Sequence, residues 1–116
     1  MPPSLLSASS LIAHKVTNPS GENLGKIEEL MMDLDTGRMA YAVLSFGGFL
    51  GFGNKLFAIP WGALHFSAED RAFVCNITRE KLEKAPGFDK DNWPEAAKSC
   101  WDTHVYYGIK PYWEED

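Results

Sequence analysis

The residues of this chain best suited to metal binding or nucleophilic chemistry are His14, His65, His104, Cys75 and Cys100, and they are widely separated in sequence. Cys100 and His104 are the only pair at the i, i+4 spacing that places two ligands on one helix face. A zinc site needs two further ligands, and the sequence does not indicate them. No serine lies in a nucleophile elbow, and no Ser/His/Asp or Cys/His set can be assigned. The sequence therefore predicts no enzyme activity, no cofactor and no metal site.

Acidic residues at 28, 29, 33 and 35 could in principle bind a cation or a basic partner. Asp33, Asp35 and Gly37 resemble the start of a calcium-binding loop, but the glycine lies one place early. Leu44 occupies the position where such a loop needs a bidentate glutamate. Water-facing acids on a strand need no ligand to explain them. A solvated turn at 35–37 is the prediction.

A glycine-rich linker at 47–53 separates two apolar, β-prone runs. It lacks the lysine and hydroxyl of a phosphate-binding P-loop, and it joins strand to strand, so no helix follows to receive an anion. The linker instead predicts a long β-hairpin whose apolar tip carries Phe49, Leu50 and Phe52. Two interpretations of these side chains stay open: they form an interface, or they fold back over the end of their own barrel.

Length and composition are those of a small globular protein. The 116 residues are 45% apolar and 23% charged, and one domain of this size buries roughly two thirds of its unfolded surface. The net charge is −5 and the sequence has no lysine or arginine cluster, which argues against a nucleic-acid surface and favours protein partners.

Cys75 lies in an apolar run and is predicted to be a buried thiol, which indicates a reducing compartment. No apolar run is long enough to span a membrane, so we expect a soluble, cytoplasmic protein.

Alternating apolar residues and turn signals predict six strands and one short helix. The strand at 38–46 is apolar on both faces, which predicts a central position with cover on two sides. In the strand at 24–34, Leu30, Met32 and Leu34 share one face, and a bulge at 28–29 is expected because Ile27 is out of phase with them. The other predicted strands lie at 11–16, 56–59, 64–66 and 73–77, with turns at 18–21, 35–37 and 69–71 and a helix at 79–84 N-capped by Thr78.

Residues 86–116 differ from the rest, because aromatic residues are numerous there and follow no regular period. Such a segment suggests an arm that covers an apolar surface. That surface belongs either to its own barrel or to a neighbouring subunit, and the sequence does not distinguish the two. The aromatic residues are Phe88, Trp93, Trp101, Tyr106, Tyr107, Tyr112 and Trp113.

Three runs of residues are similar to the PRC-barrel family. They are 18–38, which begins Asn-Pro-Ser-Gly-Glu-Asn-Leu-Gly-Lys-Ile and ends Asp-Leu-Asp-Thr-Gly-Arg, then Tyr-Ala-Val-Leu-Ser-Phe-Gly-Gly at 41–48, and Phe-Ala-Ile-Pro-Trp at 57–61. The resemblance covers roughly residues 10–85. It implies a six-stranded β-barrel like that of the photosynthetic reaction-centre H subunit's cytoplasmic domain and of the C-terminal half of a small-subunit ribosome maturation factor.

This chain differs from those two relatives in what precedes the barrel. It shows neither the membrane helix of the reaction-centre subunit nor the N-terminal domain of the ribosome factor. The runs at 85–94 and 106–113 look like the tail of some stand-alone members. Across these settings the resemblance implies a protein-binding barrel without a catalytic residue set.

Together these observations predict a mainly β protein: a small six-stranded antiparallel barrel at 10–85, a loose lead-in at 1–9 and an aromatic arm at 86–116. We expect a non-enzymatic scaffold that binds a protein partner and forms a homodimer or higher homo-oligomer. The alternatives are an accessory factor in ribosome or RNA processing, or an assembly protein related to the photosynthetic reaction centre. The predicted interface residues are Phe49, Leu50, Phe52, Trp93, Trp101, Tyr107, Tyr112 and Trp113.

Overall fold

The fold is built around strand β3 (Arg38–Gly47), which pairs with β2 (Asn23–Asp33) on one side and β4 (Asn54–Pro60) on the other. The structure is a computed structural model that describes residues 5–47, 54–85, 87–88 and 104–110. No helix in these ranges has the length and apolar character needed to cross a membrane. The other elements are α1 (Ala8–Leu11), β1 (Lys15–Thr17), a 3-10 helix (Trp61–Ala63), β5 (Leu64–Ser67), β6 (Ala72–Cys75) and α2 (Arg79–Glu83).

The six strands form one sheet in the order β4-β3-β2-β1-β6-β5, which curls into a half-barrel. All neighbours are antiparallel except β1 and β6, which run parallel with Val16 opposite Phe73. The expectation of a purely antiparallel barrel is therefore wrong at this one pair. The reason lies at the corner after Pro60, where the 3-10 helix bends the chain without reversing it. As a result β5 points in the same direction as β4, and β6, which is antiparallel to β5, points in the same direction as β1.

The predicted strand at 11–16 is wrong in its first half. The Ser7 hydroxyl accepts a hydrogen bond from the Ser10 N–H (3.2 Å) and caps the single turn α1, whose Leu11 enters the core. Ala13 then adopts a φ of +74°, which interrupts extended backbone before β1 begins. The sequence did not reveal this turn because an apolar residue at position 11 suits a helix and a strand equally well.

β2 contains the predicted bulge and a second irregularity that was not predicted. The pairing with β3 shifts between Ile27 and Glu29, which confirms the bulge, and shifts again between Met31 and Met32. Met32, at the second shift, is 52% exposed, and Leu34, in the turn that follows β2, is 89% exposed. The prediction that they share the inner face with Leu30 is therefore wrong.

Two apolar clusters lie on opposite faces of β3, which confirms its predicted two-sided cover. The larger cluster fills the inside of the curled sheet and draws on all six strands and α2. The smaller one lies on the outer face, with Met31 and Phe88 packed against it. Its buried members are Ala40, Tyr41, Val43, Leu56 and Ala58.

The predicted turn at 18–21 joins β1 to β2 and also ties them to the end of β6. The Asn18 carbonyl oxygen Oδ1 accepts from the N–H groups of Ser20 (3.1 Å) and Glu22 (2.9 Å). Its amide Nδ2 donates to Glu22 Oε1 (2.8 Å) and to the Ile77 carbonyl (3.1 Å). This buried amide therefore uses both its donor and its acceptor to link three segments.

The predicted helix is confirmed as α2. The Thr78 hydroxyl accepts from the Lys81 N–H (3.1 Å), as an N-cap does. Leu82 and Ala85 are buried against the larger cluster. The helix thereby closes the open side of the curled sheet beside β2.

Candidate functional site

The two outer strands of the sheet, β4 and β5, have different edges. β4 is covered in part, because Leu56 and Phe88 exchange backbone hydrogen bonds of 3.0 and 2.8 Å. β5 pairs only with β6 among the residues that the structure describes. The Leu64 N–H donates to the Trp61 carbonyl, so the uncovered edge is 65–67. An uncovered edge offers backbone donors and acceptors to a further strand.

Phe66 is the apolar side chain on this edge, and it is 41% exposed. Its ring centroid lies 5.2 Å from that of Phe73 on β6 and 5.9 Å from that of His14, and Phe73 in turn lies 5.7 Å from Trp61. Aromatic contacts on one side therefore hold Phe66 in place while its other side faces solvent. A fixed, partly exposed ring is the kind of group that anchors a protein interface.

The turn that follows β5 is charged and hydrogen-bonded. The Ser67 hydroxyl donates to Asp70 Oδ2 (3.2 Å) and accepts from the Asp70 N–H (3.3 Å). Glu69 and Arg71 are exposed in the same turn. The corner before β5 (Trp61–Ala63) carries no charge. The edge therefore has one charged end and one uncharged end.

Of the predicted interface residues, Tyr107 is the one inside the described ranges; Phe49, Leu50, Phe52, Trp93, Trp101, Tyr112 and Trp113 lie outside them. Tyr107 is half-buried in a helical turn at 104–107 and packs against the larger apolar cluster of its own barrel. Its ring stacks edge-on against Tyr106 at 4.8 Å, and the Tyr106 hydroxyl donates to the Lys81 carbonyl (3.1 Å). Burial raises the pKa of the Tyr107 hydroxyl, and Tyr106 and Cys75 add to this increase.

The residues considered for chemistry lie in different surroundings. Cys75 is buried, and burial raises the pKa of its thiol to about 11. His14 belongs to the ring cluster behind Phe66, His65 is exposed on β5, and His104 is buried in the C-terminal turn. Cys100 lies outside the described residues. Within the described ranges, no three His, Cys, Asp or Glu side chains are grouped as metal ligands.

Asp33 stabilises the turn at 35–37 through two hydrogen bonds. Asp33 accepts from the Asp35 N–H at Oδ1 (2.9 Å), and its carbonyl accepts from the Gly37 N–H (2.8 Å). The predicted turn is therefore confirmed, with one carboxylate oxygen used in backbone capping.

A curled six-stranded sheet with one short helix packed beside β2 is the architecture of the described part of the chain. The chain belongs to the PRC-barrel family, since the model of the PRC-barrel domain matches residues 3–82. This confirms the family resemblance found in the sequence. Among curated proteins, no significant match is found.

The edge of β5, which is unpaired within the described residues, is the feature of the site that the sequence did not predict. The alternation of Leu64 and Phe66 indicated a strand with both side chains on one face, as the structure has it. Whether β5 lies within the sheet or at its edge depends on the pairing of β6 with β1, which is a contact between distant parts of the chain. No local residue pattern carries that information.

Proposed function

We propose that this protein is a non-enzymatic protein-binding module of the PRC-barrel family that self-associates through the edge of β5. The observation that carries the proposal is a partly exposed Phe66 on a strand edge without a partner in the described structure. Backbone groups on such an edge supply affinity for another strand, and an apolar anchor supplies specificity.

The arrangement of charge favours a second copy of this chain as the partner. In a two-fold pair, β5 would run antiparallel to β5 of the other copy and bring the two Phe66 rings together on one face. The charged turn 68–71 of each copy would then lie beside the uncharged Trp61–Ala63 corner of the other. Like charges would therefore not be placed together, and the same short patch serves both partners.

Strand pairing over the short edge at 65–67 buries less than the roughly 1,200–2,000 Å² of a standard interface. We therefore assign the rest of the contact to the predicted hairpin tip and arm, through Phe49, Leu50 and Phe52 and through Trp93, Trp101, Tyr112 and Trp113. A dimer held mainly by a short edge and a few rings dissociates on dilution, so its assembly depends on concentration.

The proposal includes no catalytic step and places the protein in the cytoplasm. It is supported by the state of the groups that could react: the Cys75 thiol is buried and protonated at neutral pH, and His14 packs among aromatic rings. A free buried thiol also suits a reducing compartment.

Light scattering coupled to size-exclusion chromatography tests the assembly. We expect the wild-type chain to be a dimer at high micromolar concentration and Phe66→Ser to be monomeric at the same concentration. Leu34→Ser is the matched control, because Leu34 is also an exposed apolar residue but lies at the β2–β3 turn, away from the edge. This control should remain dimeric.

A second pair of variants separates the edge from the hairpin tip. If Phe49→Ser with Phe52→Ser abolishes the dimer while Phe66→Ser does not, self-association uses the tip and the β5 edge is not the interface. A wild-type chain that stays monomeric at high micromolar concentration would contradict self-association altogether.

A further inference from the structure

A shallow depression at one end of the barrel brings together three cations that are far apart in the sequence. Its volume is about 390 Å³, and its lining includes Lys15, Lys26 and Arg79 together with Asn23, Ser45 and Phe46. No carboxylate belongs to this lining within the described residues. The whole chain carries 16 acidic and 11 basic residues, so a wall of this composition runs against its overall charge.

The pairing of β1 with β2 brings two of these positive charges together. Lys15 on β1 and Lys26 on β2 are direct cross-strand partners, so their side chains leave the sheet on the same face. Both are exposed, and within the described part of the chain neither forms an ion pair. Two like charges directly opposite each other repel, which disfavours the pair unless an anion lies between them.

Arg79 forms the third side of the depression and is fixed in place. Its Nε lies 3.3 Å from Glu83 Oε1, and its guanidinium carbon lies 5.3 Å from the centroid of the Phe46 ring. Glu83 engages the Nε side of the guanidinium and offsets much of its charge, so Arg79 forms a wall of the depression without offering its full bidentate geometry. A planar carboxylate is best held by that geometry, so the arrangement does not favour a carboxylate ligand.

Two lysine ammonium groups suit a different anion. Ammonium groups act as point charges with freely rotating donors, and they bind tetrahedral oxyanions that carry more than one charge. From this we infer that the depression binds the dianionic phosphate group of a phosphate monoester. Lys15 and Lys26 contact its oxygens, and Arg79, paired with Glu83, forms the neighbouring wall. The phosphate belongs either to a small molecule or to a phosphorylated polypeptide.

The site is tested by a titration followed by amide NMR shifts, with inorganic phosphate as the probe and ionic strength held constant with sodium chloride. We expect shifts at residues 15 and 26 with a dissociation constant on the order of 1 mM, because the charges are solvent-exposed. Lys15→Gln with Lys26→Gln should weaken binding by roughly five- to tenfold.

The double variant should unfold at no lower temperature than the wild type, since it removes a repulsion. A purely structural role for the lysines predicts a lower unfolding temperature.

Lys110→Gln is the control for loss of charge alone. Lys110 lies beside Arg38 in a second depression of about 520 Å³ at the opposite end of β3. This variant should leave phosphate affinity within about twofold of wild type. No shifts at 15 and 26, an equal loss in both variants, or a loss in Lys110→Gln alone would each overturn the inference.

A phosphoserine peptide and its unphosphorylated form then separate the two sources of phosphate. Tighter binding of the phosphopeptide than of inorganic phosphate, lost in the lysine double variant, identifies a polypeptide ligand. Equal affinities identify a small molecule. The outcome is independent of self-association, because neither Lys15 nor Lys26 lies on the β5 edge.

Discussion

The Cys75 side chain lies inside the barrel, where 2% of its surface is exposed. Desolvation by burial disfavours its thiolate and raises the pKa to about 11. At neutral pH the group is therefore a thiol, which reacts slowly with electrophiles and binds metals weakly. Alternation with Phe73 and Ile77 was enough to predict this burial from the sequence.

The raised pKa makes stability depend on alkaline pH. Below pH 9.0, the ordinary pKa of the thiol, it is protonated in both the folded and unfolded states. Between pH 9 and 11 the unfolded chain loses the proton and the folded chain keeps it, so the free energy of unfolding falls as pH rises. We expect a loss of up to about 2–3 kcal/mol from this group by pH 11.

Urea unfolding from pH 8 to 11 in a Cys100→Ser background measures this loss, with Cys75→Ala in the same background as the reference. The reference should show a shallower pH dependence, because the thiol is gone. Tyr107 acts in the same direction at higher pH, and because Cys75 adds to the increase in its pKa, the difference between the two variants includes the coupling of these two groups. Identical slopes would contradict the buried-thiol explanation.

At the scale of elements, β2 and β3 approach each other closely at Gly25. Its φ is +112°, and a side chain there would overlap the Ser45 carbonyl oxygen and lie 3.2 Å from the Cα of Phe46. Only glycine fits both the backbone conformation and the space. Gly37, in the turn between the same strands, also has a positive φ (+74°) but has open space around it.

This contrast predicts two different costs for the same substitution. Gly25→Ala should destabilise the fold by about 3–4 kcal/mol, because overlap with backbone adds to strain at a positive φ. Gly37→Ala should cost about 1 kcal/mol, from the backbone strain alone. Chemical denaturation of both variants gives the two values. Equal costs would mean that β2 and β3 separate easily at this point.

The sequence predicted most elements and some of their details, and its errors share a physical cause. The bulge, the N-cap of α2 and the turns at 18–21 and 35–37 depend on residues close together in the chain, and all were confirmed. The second shift in β2 and the parallel pair of β1 and β6 depend on which strands meet, and both were missed. Met32 illustrates the result, since it lies at the second shift and is 52% exposed although its spacing from Leu30 predicted an inner position.

At the scale of the whole molecule, residues 104–110 connect the end of the chain to the body of the barrel. Tyr106 contacts α2 through the Lys81 carbonyl and side chain, and the Ile109 side chain lies against Gly62 in the corner. The sequence left open whether the arm covers its own barrel or a neighbour. In its described part, the arm covers its own barrel.

Tyr107→Ala is therefore expected to destabilise a single subunit. The loss should be about 2 kcal/mol, as for a half-buried aromatic side chain, and should be the same at low and high protein concentration. Val105→Ala, in the same turn but 61% exposed, should change stability by less than about 0.5 kcal/mol. Urea unfolding at two concentrations a hundredfold apart makes the measurement. A cost that grows with concentration would assign Tyr107 to a subunit interface instead.

The sequence predicted the type of candidate site, an apolar interaction surface, but not the residues that form it. Surplus aromatic residues indicated that a surface is covered by protein, but the sequence pointed to the hairpin tip and arm and not to Phe66. Likewise, the sequence shows no run of basic residues, yet the pairing of β1 with β2 and the return of α2 place Lys15, Lys26 and Arg79 around one depression. In both cases the surface is assembled from segments that become neighbours only in the folded sheet.

Asn18 and Ile77, which join the ends of β1 and β6, are 59 residues apart. At a translation rate of about 5–20 residues per second, β1 is synthesised roughly 3–12 s before β6. During that interval the nascent chain can form only the hairpins of the first four strands, with the inner face of the half-built sheet open to water. Chaperone binding to the growing polypeptide would therefore be most useful in the seconds before β6 emerges.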